Sequence, residues 1–155
     1  MKYALDTNIF IDSFRSEEAQ VELLAFLKRV LPFTFMSAVV MQELAAGART
    51  SEARHDLQRL VFDPFERRRR VFAPSVAAFV QSGRILALVA AREGWQLIDE
   101  NPSLLNDALI AVSCRELGIT LVTRDGDFKR FEPFLKGWRA IVPWPAAAGD
   151  PPATN

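Results

Sequence analysis

Short apolar runs alternate along this chain with longer stretches of helical period. Residues 2–6 form an apolar run that reads as a first strand. From Ser16, a helix cap, Val21, Leu24, Ala25, Lys28 and Leu31 fall at helical spacings until Pro32 stops the pattern. Phe33-Thr34-Phe35-Met36 reads as a second strand, and Ser37 caps a helix through about Ala46, closed by Gly47. A helix from Ser51 to about Val61 meets a break or kink at Asp63-Pro64. The arginine run Arg67–Arg70 follows, and then the extended piece Val71-Phe72-Ala73.

Ser75 to about Glu93 predicts a long helix with Val76, Phe79, Val80, Ile85, Leu86 and Leu88 on its apolar side, ended by Gly94. Asn101-Pro102-Ser103 caps a helix from Leu104 to Leu117, and Gly118 ends it. Ile119–Thr123 is the clearest strand, Arg124–Phe131 a loop or short helix, and Ala140-Ile141-Val142 a closing strand. Strands alternating with helices predict one α/β domain with a parallel sheet and crossover helices. After Pro143 the composition shifts to Pro, Ala and Gly, so residues 144–155 are expected to form a disordered tail.

Four acids interrupt or end these apolar runs. Asp6 ends the first strand, Glu43 stands amid Val40, Met41, Leu44 and Ala45, Asp107 opens Ala108–Val112, and Asp125 follows the strand Ile119–Thr123. A carboxylate near a core is costly unless it is paired, protonated or neutralised. Ligands of open parallel sheets bind at the carboxyl ends of the strands, where Asp6 and Asp125 fall. A cation shared by all four would be Mg²⁺ or Mn²⁺, which take oxygen ligands at roughly 2.0–2.2 Å, keep several waters and bridge phosphate oxygens. Each acid also has an ordinary reading: Asp6 as a turn or helix cap, Glu43 as a surface position, Asp107 as a first-turn acid favoured by the helix dipole, and Asp125-Gly126 as a turn.

Composition narrows the chemistry. At 155 residues the chain suits a single domain. Lys+Arg and Asp+Glu each number 19, so any nucleic-acid affinity must come from a local patch. One cysteine, Cys114, excludes an internal disulfide and a cysteine-based zinc cluster, and it is expected to be a buried, inert thiol. The single histidine, His55, lies in a polar stretch and reads as a surface residue. There is no Gly-rich phosphate loop, no Gly-x-Ser-x-Gly elbow and no paired-histidine motif. No signal-like segment opens the chain and no apolar run reaches the ~18 residues a membrane span needs, so a cytoplasmic location is expected.

Leu5-Asp6-Thr7-Asn8, then Ser37 with Gln42-Glu43-Leu44, then Asn106-Asp107-Ala108-Leu109-Ile110-Ala111, then Leu121-Val122-Thr123-Arg124-Asp125 with Asp127-Phe128 resemble the ordered motifs of the PIN-domain ribonucleases. Within that family the chain most resembles the VapC toxins of bacterial toxin–antitoxin pairs. The resemblance covers residues 1–143 as a PIN-like nuclease domain. It implies a three-layer α/β/α fold with a central, mainly parallel sheet, and Mg²⁺- or Mn²⁺-dependent endoribonuclease activity. It also implies a homodimer and inhibition by a cognate antitoxin. Carried over residue by residue, Asp6, Glu43 and Asp107 match the metal-holding acids. Asp125 matches the fourth, although Asp127 two residues on is an alternative. Thr7, Asn8 and Thr123 match supporting polar positions.

RNA needs positive charge beside such a pocket. Arg124 and Lys129 flank Asp125, and Arg67 and Arg68 belong to the densest basic run, which otherwise reads as a solvated helix end. Phenylalanine is unusually abundant at twelve residues; most are expected in the core, and a surplus would suit a dimer face and a groove for an antitoxin's apolar segment. Two other functions share parts of this pattern. A haloacid dehalogenase-like phosphatase also begins with an aspartate after the first strand, but its pattern wants a second Asp where this chain has Asn8. A non-catalytic PIN-like interaction module would retain the fold without needing all four acids.

Overall fold

The computed structural model describes residues 1–143; the tail expected over 144–155 lies outside the described residues. Five strands, β1 (Lys2–Leu5), β2 (Thr34–Ser37), β3 (Val71–Phe72), β4 (Ile119–Val122) and β5 (Arg139–Ile141), form one sheet in the order β3-β2-β1-β4-β5. Every pairing is parallel, with Tyr3 opposite Thr34 and also Thr120, and Leu121 opposite Ala140. β4 is buried along its whole length and β1 over Tyr3–Leu5, which explains why both read as unbroken apolar runs. Helices cover the sheet in a three-layer α/β/α arrangement, as expected.

The helices are α1 (Thr7–Arg15), α2 (Glu17–Val30), α3 (Ala38–Gly47), α4 (Ser51–Asp56), α5 (Asp63–Glu66), α6 (Val76–Glu93), α7 (Gln96–Glu100) and α8 (Leu104–Leu117). Ser16, Ser37 and Ser75 each accept an N–H of the following turn, as their positions predict. Ser103 does not: its side chain makes no capping bond. The chain turns into α8 through backbone bonds instead, from the Leu104 N–H to the Asn101 carbonyl and from the Asp107 N–H to that of Ser103.

Several local expectations are corrected. Residues 7–15, which carry no helical prediction, form α1, and Asp6 caps it as well as ending β1. The expected break or kink at Asp63-Pro64 takes the form of a change of helix type rather than an interruption. Residues Leu57–Phe62 take the wider π-helical turn, with the Asp63 N–H reaching the Gln58 carbonyl, and Pro64, which has no N–H to donate, follows directly after this irregular turn. α7 is likewise unpredicted.

The buried faces of two helices also differ from the apolar pattern. On α2 it is Leu23 and Phe26 that are buried, while Val21 and Leu24 are exposed. On α6 the core face is Ala78, Ser82, Ile85, Leu86, Val89 and Ala90; Val76, Phe79, Val80 and Leu88 face outward. Phe33 is exposed as well, before rather than within β2. Both helices carry apolar residues on two faces, and period alone cannot say which one meets the sheet. Phe10, Phe26, Phe62, Phe65, Phe128 and Phe131 do join the core. His55 is exposed and Cys114 is buried, its thiol pKa pushed far up by burial.

Gly118 closes α8 in the left-handed region at φ 63°, ψ 35°, turning the chain straight into β4. A Cβ there would meet open space, so Gly118→Ala carries only the backbone cost. It is expected to lower unfolding free energy by about 1 kcal/mol. Urea midpoints of the two proteins check this; equal midpoints would contradict it.

Candidate metal and nuclease site

Consecutive strands step away from β1 in one direction, through β2 to β3, while β4 and β5 lie on its other side. The order therefore reverses between β1 and β4, and the crevice at their carboxyl ends is where open α/β sheets place ligands. Asp6 leaves β1 at this point, and its backbone N–H bonds the Val122 carbonyl at the end of β4, 3.0 Å away. Thr123, the next residue, donates its hydroxyl to Asp6 Oδ2 at 2.7 Å. The other oxygen, Asp6 Oδ1, caps α1 by accepting the Thr7 N–H at 2.8 Å. The cap and the site reading of Asp6 are compatible: one oxygen anchors the helix and the other faces β4.

Two helices bring the remaining acids. Glu43 extends from the middle of α3, where Thr7 Oγ1 donates to its Oε2 and Asn106 Nδ2 to its Oε1, the latter at 2.8 Å. Asp107 lies in the first turn of α8, almost wholly buried, and its Oδ2 is sealed from solvent with no hydrogen-bond partner among the described residues. Asn8 Oδ1 is similarly unpartnered. Asp125 caps the 3₁₀ turn Gly126–Phe131: its Oδ1 accepts the Asp127 N–H at 2.8 Å, and its own N–H bonds Thr123 Oγ1 at 2.9 Å. Asp127 is engaged elsewhere, with Arg130 Nε 3.0 Å from its Oδ1 and Arg130 in turn paired with Glu93 of α6.

These acids feel one another. Burial raises Asp6 from its ordinary value to about 6 against the lowering hydrogen bonds of Thr123 and Thr7, with the charges of Glu43 and Asp125 adding to the rise. Burial and then the charges of Asp6, Asp125, Glu43 and Asp127 push Asp107 to about 8. Asp127 is raised too, by burial and by Asp125. Among the described residues no three acids stand together as a ready-made ligand set. As placed, the carboxylates are tethered to Thr7, Thr123, Asn106 and Arg130. The donor chemistry nevertheless fits a hard divalent cation: the groups are all carboxylate oxygens, and one buried oxygen has no other partner.

The basic residues are less concentrated at this rim. Arg124 is paired with Asp12 of α1 and Glu22 of α2, at 3.8 and 3.3 Å. Lys129 is exposed on the turn that carries Asp125. Arg67 and Arg68 follow α5 and lead toward the sheet-edge strand β3, away from the acids. There Arg67 pairs with Asp63 and Arg68 donates to the Pro64 carbonyl. Two residues in the hydrogen-bonded network, Asn106 and Arg130, lie in the sequence motifs, Arg130 as a further basic residue beside Asp125, but their contacts with Glu43 and Asp127 carry no sequence signal. Asn106 stands beside Asp107 in its motif, but its partner lies 63 positions away.

Fold and site define a parallel-sheet domain with acids gathered at its topological switch point. Residues 3–132 match the family model described as PIN domain, and the chain belongs to that family of nucleases. No curated protein matches it in sequence. Solved structures share its fold. The DNA-bound VapBC of Salmonella typhimurium is 22% identical, at a TM-score of 0.65 over 90% of this chain and 96% of that one. FitAcB of Neisseria gonorrhoeae is 20% identical, at 0.61 over 83% and 92%. VapBC-1 of nontypeable Haemophilus influenzae is 23% identical, at 0.57 over 84% and 92%.

The shifted carboxyls make stability depend on pH in a defined direction. Asp6 and Asp107 bind protons more readily folded than at their ordinary value of 3.8, so protonation stabilises the metal-free fold. This contribution is complete below about pH 4 and is lost as pH rises through about 6 and then about 8. Thermal melts without divalent metal should show a melting temperature that falls across this window. Saturating Mn²⁺ should raise it more at the alkaline end than at the acidic end. A midpoint that is flat or rising with pH would contradict the account.

Proposed function

We propose that this protein is a Mg²⁺- or Mn²⁺-dependent endoribonuclease and the toxin of a toxin–antitoxin pair. The observation that carries the reading is the burial of Asp6 and Asp107 at the β1/β4 crevice of a PIN domain, against the charges of Glu43 and Asp125 and with Asp107 Oδ2 orphaned. A divalent ion held there would lower the pKa of a bound water and offset charge on the phosphorus oxygens. Asp107 offers a buried oxygen with no protein partner among the described residues. Asp6 and Glu43 supply oxygens whose orientation is set by Thr7, Thr123 and Asn106.

As fourth acid we favour Asp125 over Asp127, because Asp127 is already paired with Arg130, whereas Asp125 shares Thr123 with Asp6. Asn8 stands in the first turn of α1, where a phosphatase would need its second aspartate. Lys129 is exposed for phosphate contact beside the site. Arg124 can join it by exchanging its surface pairs with Asp12 and Glu22, which are worth little in water. Arg67 and Arg68 can reach RNA only along the β3 edge.

Two exposed apolar faces support the partners. One carries Val76, Phe79 and Val80 of α6 with Leu105 of α8, beside a groove of about 310 Å³ lined also by Val39, Pro74 and Leu109. The other is on α2, where Val21 and Leu24 are exposed at helical spacing; Phe14 of α1 is exposed too. We assign them to a second copy of this chain and to the apolar segment of an antitoxin, consistent with the toxin–antitoxin complexes that share the fold. No helix of the described residues is long and apolar enough to cross a membrane, and the toxin reading places the protein in the cytoplasm.

Purified protein should cut RNA internally with Mg²⁺ or Mn²⁺, and EDTA should abolish the cut. Asp107→Asn and Asp6→Asn should each reduce the rate by about 10³-fold or more, a barrier increase of about 4 kcal/mol, while the protein stays folded. Gel assays on total RNA, with circular dichroism of each variant, check this. Undiminished cleavage in both variants would sink the proposal, as would phosphate release from small phosphomonoesters with RNA left whole.

A further inference from the structure

Glu43 differs from the other acids of the site in reach and in how it is held. It is the only glutamate among them and projects from mid-helix, whereas Asp6, Asp107 and Asp125 have short stems beside strand ends or a helix start. Fixing a glutamate side chain costs up to about 1.5–2 kcal/mol of rotamer entropy. A single donor would leave its carboxylate free to swing about one oxygen. Here both oxygens are taken, Oε2 by Thr7 Oγ1 of α1 and Oε1 by Asn106 Nδ2 of α8.

We propose that Asn106 is a positioning residue for the metal site, acting through Glu43; this rests on the reading of Glu43 as a metal-holding acid. Three features favour the assignment. The bond joins α3 to α8 one residue before Asp107, so it fixes the direction of Glu43 relative to the acid with the orphaned oxygen. An amide supplies a donor without adding a fifth negative charge to a crowded rim, and a carboxylate partner dictates which end of the amide faces it. Thr7, the other donor, has a single hydroxyl hydrogen and cannot fix both oxygens alone. Partners of this kind typically tune metal affinity by about 10–100-fold.

The test is a calorimetric Mn²⁺ titration of the whole protein without RNA, on wild type, Asn106→Ala, Asn106→Leu, Glu43→Ala and the Glu43→Ala/Asn106→Ala double variant. Leu keeps the bulk of the asparagine without its N–H, which separates the hydrogen bond from packing. Both Asn106 variants should weaken Mn²⁺ binding about 10-fold, with the metal-free melting temperature little changed. In the Glu43→Ala background, Asn106→Ala should add less than about twofold, because its effect passes through Glu43. In cleavage assays kcat should fall while KM for RNA holds. Wild-type Mn²⁺ affinity in Asn106→Leu would overturn the proposal, as would an equal further loss in the double variant. A wild-type protein that binds Mn²⁺ but leaves RNA whole would remove the nuclease reading alone, with the clamp still decided by the titration. One that takes up no Mn²⁺ would remove both.

Discussion

Carboxylates that lose water without gaining a counter-charge raise one another's proton affinity, and the rim of this sheet is organised around that cost. Asp6 and Asp107 are nearly closed off from solvent at the place where strand order reverses, and the charges of Glu43 and Asp125 act on both. No lysine or arginine side chain bonds Asp6, Glu43, Asp107 or Asp125 among the described hydrogen bonds and ion pairs. The donors are instead two backbone N–H groups, two threonine hydroxyls and one asparagine amide. Neutral donors orient a carboxylate while leaving its charge uncancelled. That is the condition in which a divalent cation gains most from binding.

The same economy extends outward from the site. Thr123 serves two acids at once, donating to Asp6 and accepting from the Asp125 N–H. Asp125 caps the turn that carries Asp127, and Arg130 draws Asp127 toward Glu93 at the end of α6. Arginine therefore enters the network only at its periphery, where it ties the turn to a helix and holds one acid aside. The basic residues nearest the crevice are spread thinly, which makes local placement rather than overall charge the means of meeting a nucleic acid.

Much of this was legible from residue order. The strands β1 and β4 announce themselves as unbroken apolar runs, Ser16, Ser37 and Ser75 mark helix starts, and the four acids stand out because each interrupts or ends an apolar run, although only Asp6 and Asp107 are buried. Helix α1 was only half legible: Asp6 reads as a turn or helix cap as well as the end of a strand, but the helix it caps carries its buried Ile9 and Phe10 within a short, mixed segment. The core faces of α2 and α6 were hidden for a different reason. Val21, Leu24, Val76, Phe79 and Val80 have the period of a core but face outward, and a sequence cannot separate a face that meets its own sheet from one left for a partner. Asn106 shows the third limit: its role exists only once α3 and α8 pack together, bringing it within 2.8 Å of Glu43.

The account stands on a cation bound by these acids, and the direct measurement is anomalous diffraction from crystals grown with Mn²⁺. The expected result is an anomalous peak in the β1/β4 crevice, within coordination distance of Asp107 Oδ2 and shared with Asp6 and Glu43. No peak in that crevice, with Asp107 Oδ2 still unpartnered at saturating Mn²⁺, would contradict it.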